Sequence, residues 1–193
     1  MTILLACDGS SLRKADGSVG GAIGWAWARE DGAWASGSWM RGTNQRAELL
    51  AILQLLLQHP TGELEIQMDS QYALNVASQW ARGWARRNWI KADNKPVMNR
   101  DIIEPLLEVL ERRSDPITWT WVKGHLKDNR FPLNTAADLR AGNASQLGKT
   151  ATSDENVLTM YRDSKDREEL AIVTKMMARI ITSPHSPYLT PKA

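Results

Sequence analysis

Apolar positions along the chain alternate between short continuous runs and longer stretches with helical spacing. The short runs predict five strands, at residues 2–8, 20–27, 34–40, 64–68 and 117–122. Turn signals at Asp16-Gly17-Ser18 and Asp31-Gly32 separate the first three runs, so we expect an antiparallel meander there.

Leucine-rich spacing predicts a helix that Thr43 or Asn44 caps and that ends near Gln58. Three further helices are predicted: from Ser70 or Asp69 to about Gln79, from about Val97 to Arg112, and from a cap at Asn134 to about Gly142. The second is interrupted near Pro105 unless that proline falls within its first turn. Strands that alternate with helices after residue 43 indicate parallel pairing through right-handed crossovers. The pattern therefore predicts an α/β domain.

The composition changes near residue 143. Residues 143–153 are small and polar and predict a linker, and residues 154–182 predict a helical extension with an apolar stripe from Leu170 to Ile181. Residues 183–193 are proline-rich, which predicts a disordered tail. We expect a monomer in which the stripe packs on its own domain, although it could pair with a second chain or bind a partner.

Bulk composition indicates a soluble globular protein, with 42% hydrophobic and 24% charged residues. The net charge of +2 does not by itself indicate nucleic acid, but residues 82–100 hold six basic side chains against one acid, next to three tryptophans. A single cysteine excludes an internal disulfide. The first residues do not predict a signal peptide, and no apolar stretch of about 20 residues occurs in the sequence. We therefore expect a cytoplasmic protein without a membrane partner.

Carboxylates occupy positions that a core would not choose. Asp8 and Asp69 end apolar runs, Glu48 lies near the start of the leucine-rich helix, and Asp138 falls in the first turn of the late helix. Strand ends and helix starts converge on one crevice of an α/β sheet, and acids gathered there repel one another unless a divalent metal binds. Taken singly, Asp69 could cap a helix and Asp138 could complement a helix dipole. The joint pattern favours a two-metal phosphodiester site.

Six collinear segments resemble the bacterial type 1 ribonuclease H family over residues 1 to about 142. They are Asp8-Gly9-Ser10, Gly20-Gly21, Thr43-Asn44-Gln45-Arg46-Ala47-Glu48-Leu49, Asp69-Ser70-Gln71-Tyr72, Trp121-Val122-Lys123-Gly124-His125 and Asn134 through Asp138. The resemblance implies a ribonuclease H-like fold, with a five-stranded mixed sheet of order 3-2-1-4-5, helices on both faces and a basic protrusion at residues 80–96. The C-terminal helical extension has no counterpart in the minimal domain.

By the same resemblance, Asp8, Glu48, Asp69 and Asp138 would bind two Mg²⁺ ions, with Mn²⁺ as the alternative ion. The implied reaction is sequence-independent hydrolysis of the RNA strand of an RNA–DNA hybrid, which leaves 5′-phosphate and 3′-hydroxyl ends. His125 would aid proton transfer or product release, and its ordinary pKa range suits that role. The loop that follows it is about three residues longer than in typical members.

The resemblance also implies a surface that binds the hybrid. Amides would read the minor groove, a small pocket would grip a phosphate of the DNA strand, and tryptophans and basic side chains would pack along the DNA backbone. The amides are Asn44, Gln45 and Gln71, and the phosphate pocket is Arg41, Thr43 and Asn99. The tryptophans and basic side chains are Trp80, Trp84, Arg86, Arg87 and Lys91. The remaining motif positions that would contact the hybrid are Gly9, Ser10 and Asn134. For the basic segment, the alternative is a solvated face with tryptophans turned into the core.

Two other classes of function stay open. A hybrid-binding module without catalysis would be expected to lack at least one of the four acids, and all four are present. A transposase or junction resolvase with the same fold would act on DNA alone, and the Thr43–Leu49 and Trp121–His125 matches favour the ribonuclease instead.

Overall fold

A computed structural model describes residues 1–14, 17–18, 20–39, 41–124, 130–147 and 151–152, the last two by their backbone alone. The strands are β1 (Ile3–Ser11), β2 (Ile23–Arg29), β3 (Trp34–Trp39), β4 (Leu64–Met68), β5 (Ile117–Trp121) and β6 (Ala151–Thr152). The helices are α1 (Asn44–Gln58), α2 (Gln71–Asn75), α3 (Ala81–Arg86), α4 (Arg100–Arg112) and α5 (Pro132–Leu147), with a π-helical segment at Val76–Trp80. The predicted helical extension and tail lie outside the described residues.

The sheet has the order β5-β4-β1-β2-β3-β6. β1, β2 and β3 pair antiparallel, whereas β4 pairs parallel with both β1 and β5. The predicted meander and the predicted order 3-2-1-4-5 are therefore confirmed. The two-residue strand β6 adds to the β3 edge, within the stretch predicted as a linker.

Two close approaches put α1 and α5 on opposite faces of this sheet. A side-chain carbon on Gly9 would overlap the α1 backbone at Ala47 and Glu48, and one on Gly24 would overlap α5 at Ala141 and Ser145. Gly9 pairs with Trp25, whereas Gly24 pairs with the next β1 residue. Since neighbouring strand residues point to opposite faces, helices cover both sides, as predicted.

The two faces are packed with different side chains. The α1 face is filled by large apolar side chains, and residues 46–56 of α1 are buried without interruption. The α5 face is lined by small residues: Ala6, Ala26 and Ala28 on the strands, and Ala137, Ala141 and Ala144 on the helix. Because alanines occupy little space, the α5 backbone can lie close to the strands.

Several element boundaries differ from the predictions. β1 runs to Ser11, so Asp8 lies inside a strand that continues through pairing with β2. Helical structure after β4 continues through the π-helical segment to Arg86, beyond the predicted end at Gln79. The predicted break at Pro105 is wrong: α4 passes through it, and buried neighbours such as Ile102 and Leu106 offset the missing backbone hydrogen bond.

The late helix was predicted too short. α5 begins at Pro132, a residue whose fixed φ and missing N–H suit a helix start, so the predicted cap at Asn134 is wrong. It ends at Leu147 rather than Gly142, and the first residues of the predicted linker are helical. Within the described ranges, none of the helices combines the length and the apolar character that crossing a bilayer requires.

Candidate active site

The candidate site lies where β1 and β4 part. The last parallel pair between these strands is Ala6 with Gln67, two residues before Asp8. Asp69 directly follows β4, and both side chains therefore lie at the carboxyl end of the parallel strands, where α/β sheets form ligand crevices. Single oxygens of Asp8, Glu48 and Asp69 all lie within 4.8 Å of one another.

Glu48 is held from two directions. The N–H of Gly9 donates to its Oε2 at 3.2 Å, and the Asn44 side-chain amide donates to its Oε1 at 3.2 Å. The missing side chain of Gly9 is what lets α1 come this close to β1. The carboxylate is 4% exposed, and both of its oxygens are fixed toward the crevice by donors from different elements.

Asp69 does not cap the helix that follows it. The Ser70 hydroxyl accepts the hydrogen bond from the Ala73 N–H at 3.3 Å, which leaves the Asp69 carboxylate out of the capping role. The Trp121 indole N–H donates to the Asp69 carbonyl at 3.0 Å and fixes the peptide. A side-chain carbon on Gly124 would overlap the Asp69 carboxylate, so glycine at this position keeps space for it.

Asp138 reaches the site from the opposite face of the sheet. It lies well inside α5, so the prediction that places it in a first turn is wrong, and the dipole interpretation loses its basis. Its carboxyl group is hydrogen-bonded to Asp8. The alanine packing under α5 makes this approach possible.

The acids raise one another's pKa. Burial is the first cause that raises the pKa of Asp8 to about 8, followed by the charges of Asp69 and Asp138. Burial, then the charges of Asp8 and Asp69, raises the pKa of Glu48 well above its ordinary value. Buried carboxylates that repel one another do not stabilise a fold by themselves. A divalent cation would neutralise their charge, and such ions prefer carboxylate oxygens as ligands. The donor set fits a hard divalent metal.

A second feature lies beside α1, where the predicted phosphate-gripping residues Thr43 and Asn99 belong to different elements. Thr43 caps α1 through a hydrogen bond from the Arg46 N–H to its Oγ1 at 3.4 Å. Asn99 precedes α4 with a left-handed φ of 60°, and its Oδ1 accepts from Arg46 Nη1 at 3.4 Å. Arg41 is exposed two residues before Thr43.

The tryptophans of the basic segment differ in how far their side chains are exposed. Trp80 is 41% exposed, and its ring lies 5.7 Å from that of half-buried Trp84. Trp89 is buried in the core, as the alternative interpretation of this segment held. Arg86 and Arg87 are exposed, and Lys91 is half-buried with its ammonium 3.6 Å from Asp93. The exposed part of the segment thus combines the Trp80–Trp84 pair with the exposed guanidinium groups of Arg86 and Arg87.

The remaining predicted positions are spread over this side of the molecule. Gln45 and Gln71 are exposed at the starts of α1 and α2, and Ser10 is half-buried near the end of β1. Asn134 is only 3% exposed and lies inside the fold rather than on the surface. His125 falls outside the described residues, so its predicted role stays a prediction.

Sequence reasoning did not predict the contacts by which three residues hold the site in place. Asn44 is bonded to Glu48, Trp121 to the Asp69 peptide, and Arg46 to Thr43 and Asn99. The signal for Arg46 was available, because a charged residue just before the apolar run of a core helix needs a partner. The partner itself, Asp101, is 55 residues away and could not be identified from spacing.

Comparison with known proteins gives one family. A family model described as RNase H matches residues 1–146. A ribonuclease H of Tropheryma whipplei is 39% identical over 153 residues, which cover 78% of this chain and 89% of that protein. A ribonuclease HI of Streptomyces coelicolor is 38% identical over 154 residues, covering 77% of this chain and 63% of that protein.

Solved structures agree on the fold. The crystal structure of LC9-RNase H1, a type 1 RNase H with the type 2 active-site motif, has a TM-score of 0.66 at 18% identity, covering 89% of this chain and 84% of that one. A foamy viral protease-reverse transcriptase in complex with RNA/DNA hybrid has a TM-score of 0.60 at 17% identity, covering 75% of this chain and 20% of that one.

Proposed function

The chain belongs to the RNase H family and is a ribonuclease H, and we propose that it cuts the RNA strand of RNA–DNA hybrids with two divalent ions, without regard to base sequence. The observation that carries the proposal is the convergence of Asp8, Glu48 and Asp69 within 4.8 Å, with Asp138 bonded to Asp8. The proposed products are a 5′-phosphate and a 3′-hydroxyl end.

Metal binding would use the four carboxylates as ligands. Two Mg²⁺ ions, with Mn²⁺ as the alternative, would supply Lewis-acid stabilisation of the attacking and departing oxygens of the phosphodiester. Asp8 interacts with the side chains of both Asp138 and Glu48, and it is the central ligand in this proposal. Asn44 and Gly9 hold the Glu48 carboxylate so that little reorganisation is required when metal and substrate arrive.

Recognition of RNA rests on groups beside these acids. Asn44, Gln45 and Gln71 lie at the starts of α1 and α2, next to the carboxylates at the same end of the sheet. Their amides can donate and accept at 2′-hydroxyls and base edges, which a hybrid displays in its wide minor groove. Because every ribonucleotide carries a 2′-hydroxyl, such contacts select RNA without selecting a sequence.

Recognition of the DNA strand would use residues around the starts of α1 and α4. Arg41, Thr43 and Asn99 offer a cation and polar hydrogens for one phosphate. The helical stretch after Asp69 adds the aromatic pair Trp80 and Trp84, and the exposed Arg87 follows its end. Basic and aromatic groups together bind nucleic acid largely through its backbone.

The test is cleavage of an end-labelled RNA–DNA hybrid beside matched RNA–RNA and DNA–DNA duplexes, each with Mg²⁺ and with chelator. We expect metal-dependent cutting of the hybrid's RNA strand alone. Asp69→Asn should abolish it, whereas Glu65→Gln, which alters an acid on the preceding strand, should not. Cutting of DNA–DNA duplex instead would sink the proposal in favour of a nuclease for DNA, and tight hybrid binding without cutting would indicate a binding module.

A further inference from the structure

Arg46 is a charged residue that the fold encloses. It is 6% exposed, and its guanidinium pairs with the Asp101 carboxylate through two contacts of 3.0 and 2.6 Å. Both side chains of the pair are 7% exposed. Because an ion is retained in a protein interior only when it is paired in good geometry, this fork fixes the start of α1 against the start of α4.

The same residue occupies the acceptor atoms of two neighbours. Its backbone N–H donates to Thr43 Oγ1, and its Nη1 donates to Asn99 Oδ1, each at 3.4 Å. A guanidinium has donors only, so Asn99 must turn its oxygen toward Arg46 and its NH₂ group away. The hydroxyl hydrogen of Thr43 is likewise left to donate elsewhere. Asn99 therefore has its NH₂ group, and Thr43 its hydroxyl hydrogen, for other acceptors.

Asn99 is held in this orientation from its other end as well. Its Nδ2 donates to the Tyr72 hydroxyl at 3.5 Å, which leaves the second hydrogen of the NH₂ group available. Its backbone is in the left-handed region, at a cost for a residue with a side chain, and its side chain makes no cap hydrogen bond to α4. The amide is thus engaged by Arg46 and Tyr72 instead of by its own helix.

We propose that the Arg46–Asp101 ion pair is a positioning unit that orients Asn99, so that its NH₂ group and the Thr43 hydroxyl donate to a single phosphate of the hybrid's DNA strand. Two such donors together with the exposed Arg41, two residues before Thr43, suit an anion and not a cation. The inference rests on the proposed function, and it adds the residues that set the polarity of the pocket. Arg46 itself acts only through its neighbours.

The experiment uses hybrids in which one phosphate of the DNA strand at a time is replaced by an uncharged methylphosphonate. For the wild-type chain with Mg²⁺, we expect one position at which the replacement raises KM about tenfold, the loss of a charge-assisted contact, with little change in kcat. Replacements at phosphates that face the exposed basic segment should have smaller effects, because contacts of exposed charges contribute little, and hybrids altered elsewhere should behave like the parent.

Arg46→Lys keeps the charge and removes the fork, so KM for the parent hybrid should rise about tenfold and the methylphosphonate at the sensitive position should then add less than about twofold. Asp101→Asn provides a second, milder break in the same pair, should Arg46→Lys fail to fold. Glu104→Gln, which breaks the exposed Arg100–Glu104 pair of the same helix, is the matched control and should behave as wild type. A purely structural loss would weaken all hybrids alike and keep the step at that position.

The outcomes separate the two levels of the proposal. If the folded variants of the pair keep the full methylphosphonate step, or if wild type has no sensitive position while it still cuts the hybrid, the positioning role is overturned and the ribonuclease assignment stands. If wild type does not cut the hybrid, the proposed function itself is lost.

Discussion

Opposite ends of the sheet hold ionisable groups that stand in opposite energetic situations. At the carboxyl end of β1 and β4, Asp8, Glu48 and Asp69 are crowded so that their ionised forms repel. At the other end, His59 and Arg113 are buried or half-buried with their hydrogen bonds largely made within the fold. The groups at the far end therefore stabilise the fold, whereas the acid cluster requires a ligand to offset its repulsion.

The far-end cluster shows how the chain satisfies such groups when no ligand is involved. One ring nitrogen of His59 lies 2.9 Å from the Leu55 carbonyl and the other 3.3 Å from an Arg29 guanidinium nitrogen, so Nδ1 is the donor and Nε2 the acceptor. Arg113 donates to the carbonyls of His59 and Gly62. The neutral imidazole thereby joins α1 to the β2–β3 hairpin.

The largest expected effect is on the cleavage rate, which should depend on the acid cluster and not on the far end of the sheet. Glu48→Gln should lower the rate of hybrid cleavage by roughly 10³-fold, because metal stabilisation of the transition state supplies several kcal/mol and a glutamine would turn an NH₂ group toward Gly9 N–H or Asn44. Arg113→Met, at the far end, should leave the rate within about twofold. Single-turnover cleavage of both variants would decide this, and a large rate loss in the far-end variant would break the comparison.

A second expectation concerns metal and stability. Mg²⁺ at a hundredfold excess over its Kd should stabilise the wild-type chain by about 2.7 kcal/mol, since the folded state binds the ion and the unfolded state does not. Because the pKa of Asp8 is raised to about 8, binding should release protons and tighten as pH rises from 6 to 8. Urea unfolding with and without Mg²⁺ measures the stabilisation. Calorimetry in two buffers of different ionisation enthalpy measures the proton release, and proton-neutral binding would contradict the crowded-acid account.

The third expectation is a loss of stability at the far end. Arg113→Met removes two hydrogen bonds from a charged donor to backbone carbonyls, so the free energy of unfolding should fall by about 1–3 kcal/mol. Urea unfolding in chelator measures it, with Arg112→Met as a control from the neighbouring residue. An unchanged midpoint would mean that the far-end contacts contribute nothing.

The smallest expectation is a pH effect. Burial is the first cause that lowers the pKa of His59, so below its unfolded pKa of about 6.5 the unfolded chain binds the proton more readily and stability is lost as pH falls. The advantage of wild type over His59→Gln should shrink toward pH 5 by at most about 1.4 kcal/mol per pH unit. An advantage that grows on acidification would show a charged His59 in the folded state.

How far the sequence could predict this structure depends on how strong each local signal was. α1 and β4 followed from their apolar patterns, and the strand order followed from the family resemblance. α5 was predicted too short because its buried positions are three alanines, an asparagine and a serine, which give little hydrophobic contrast. The acids at 8, 48 and 69 could be predicted to meet, since strand ends and helix starts converge, whereas the Arg46–Asp101 pair depends on a contact between distant helices.

The central claim is that the acid cluster costs stability because it is a metal site. Its most direct test is the free energy of unfolding of Asp8→Asn and wild type at pH 7 in chelator, with hybrid cleavage in Mg²⁺ measured on the same samples. A pKa of about 8 for Asp8 predicts that the asparagine variant is more stable by roughly 2–4 kcal/mol and inactive. A variant that is less stable than wild type and still cuts the hybrid would contradict the account.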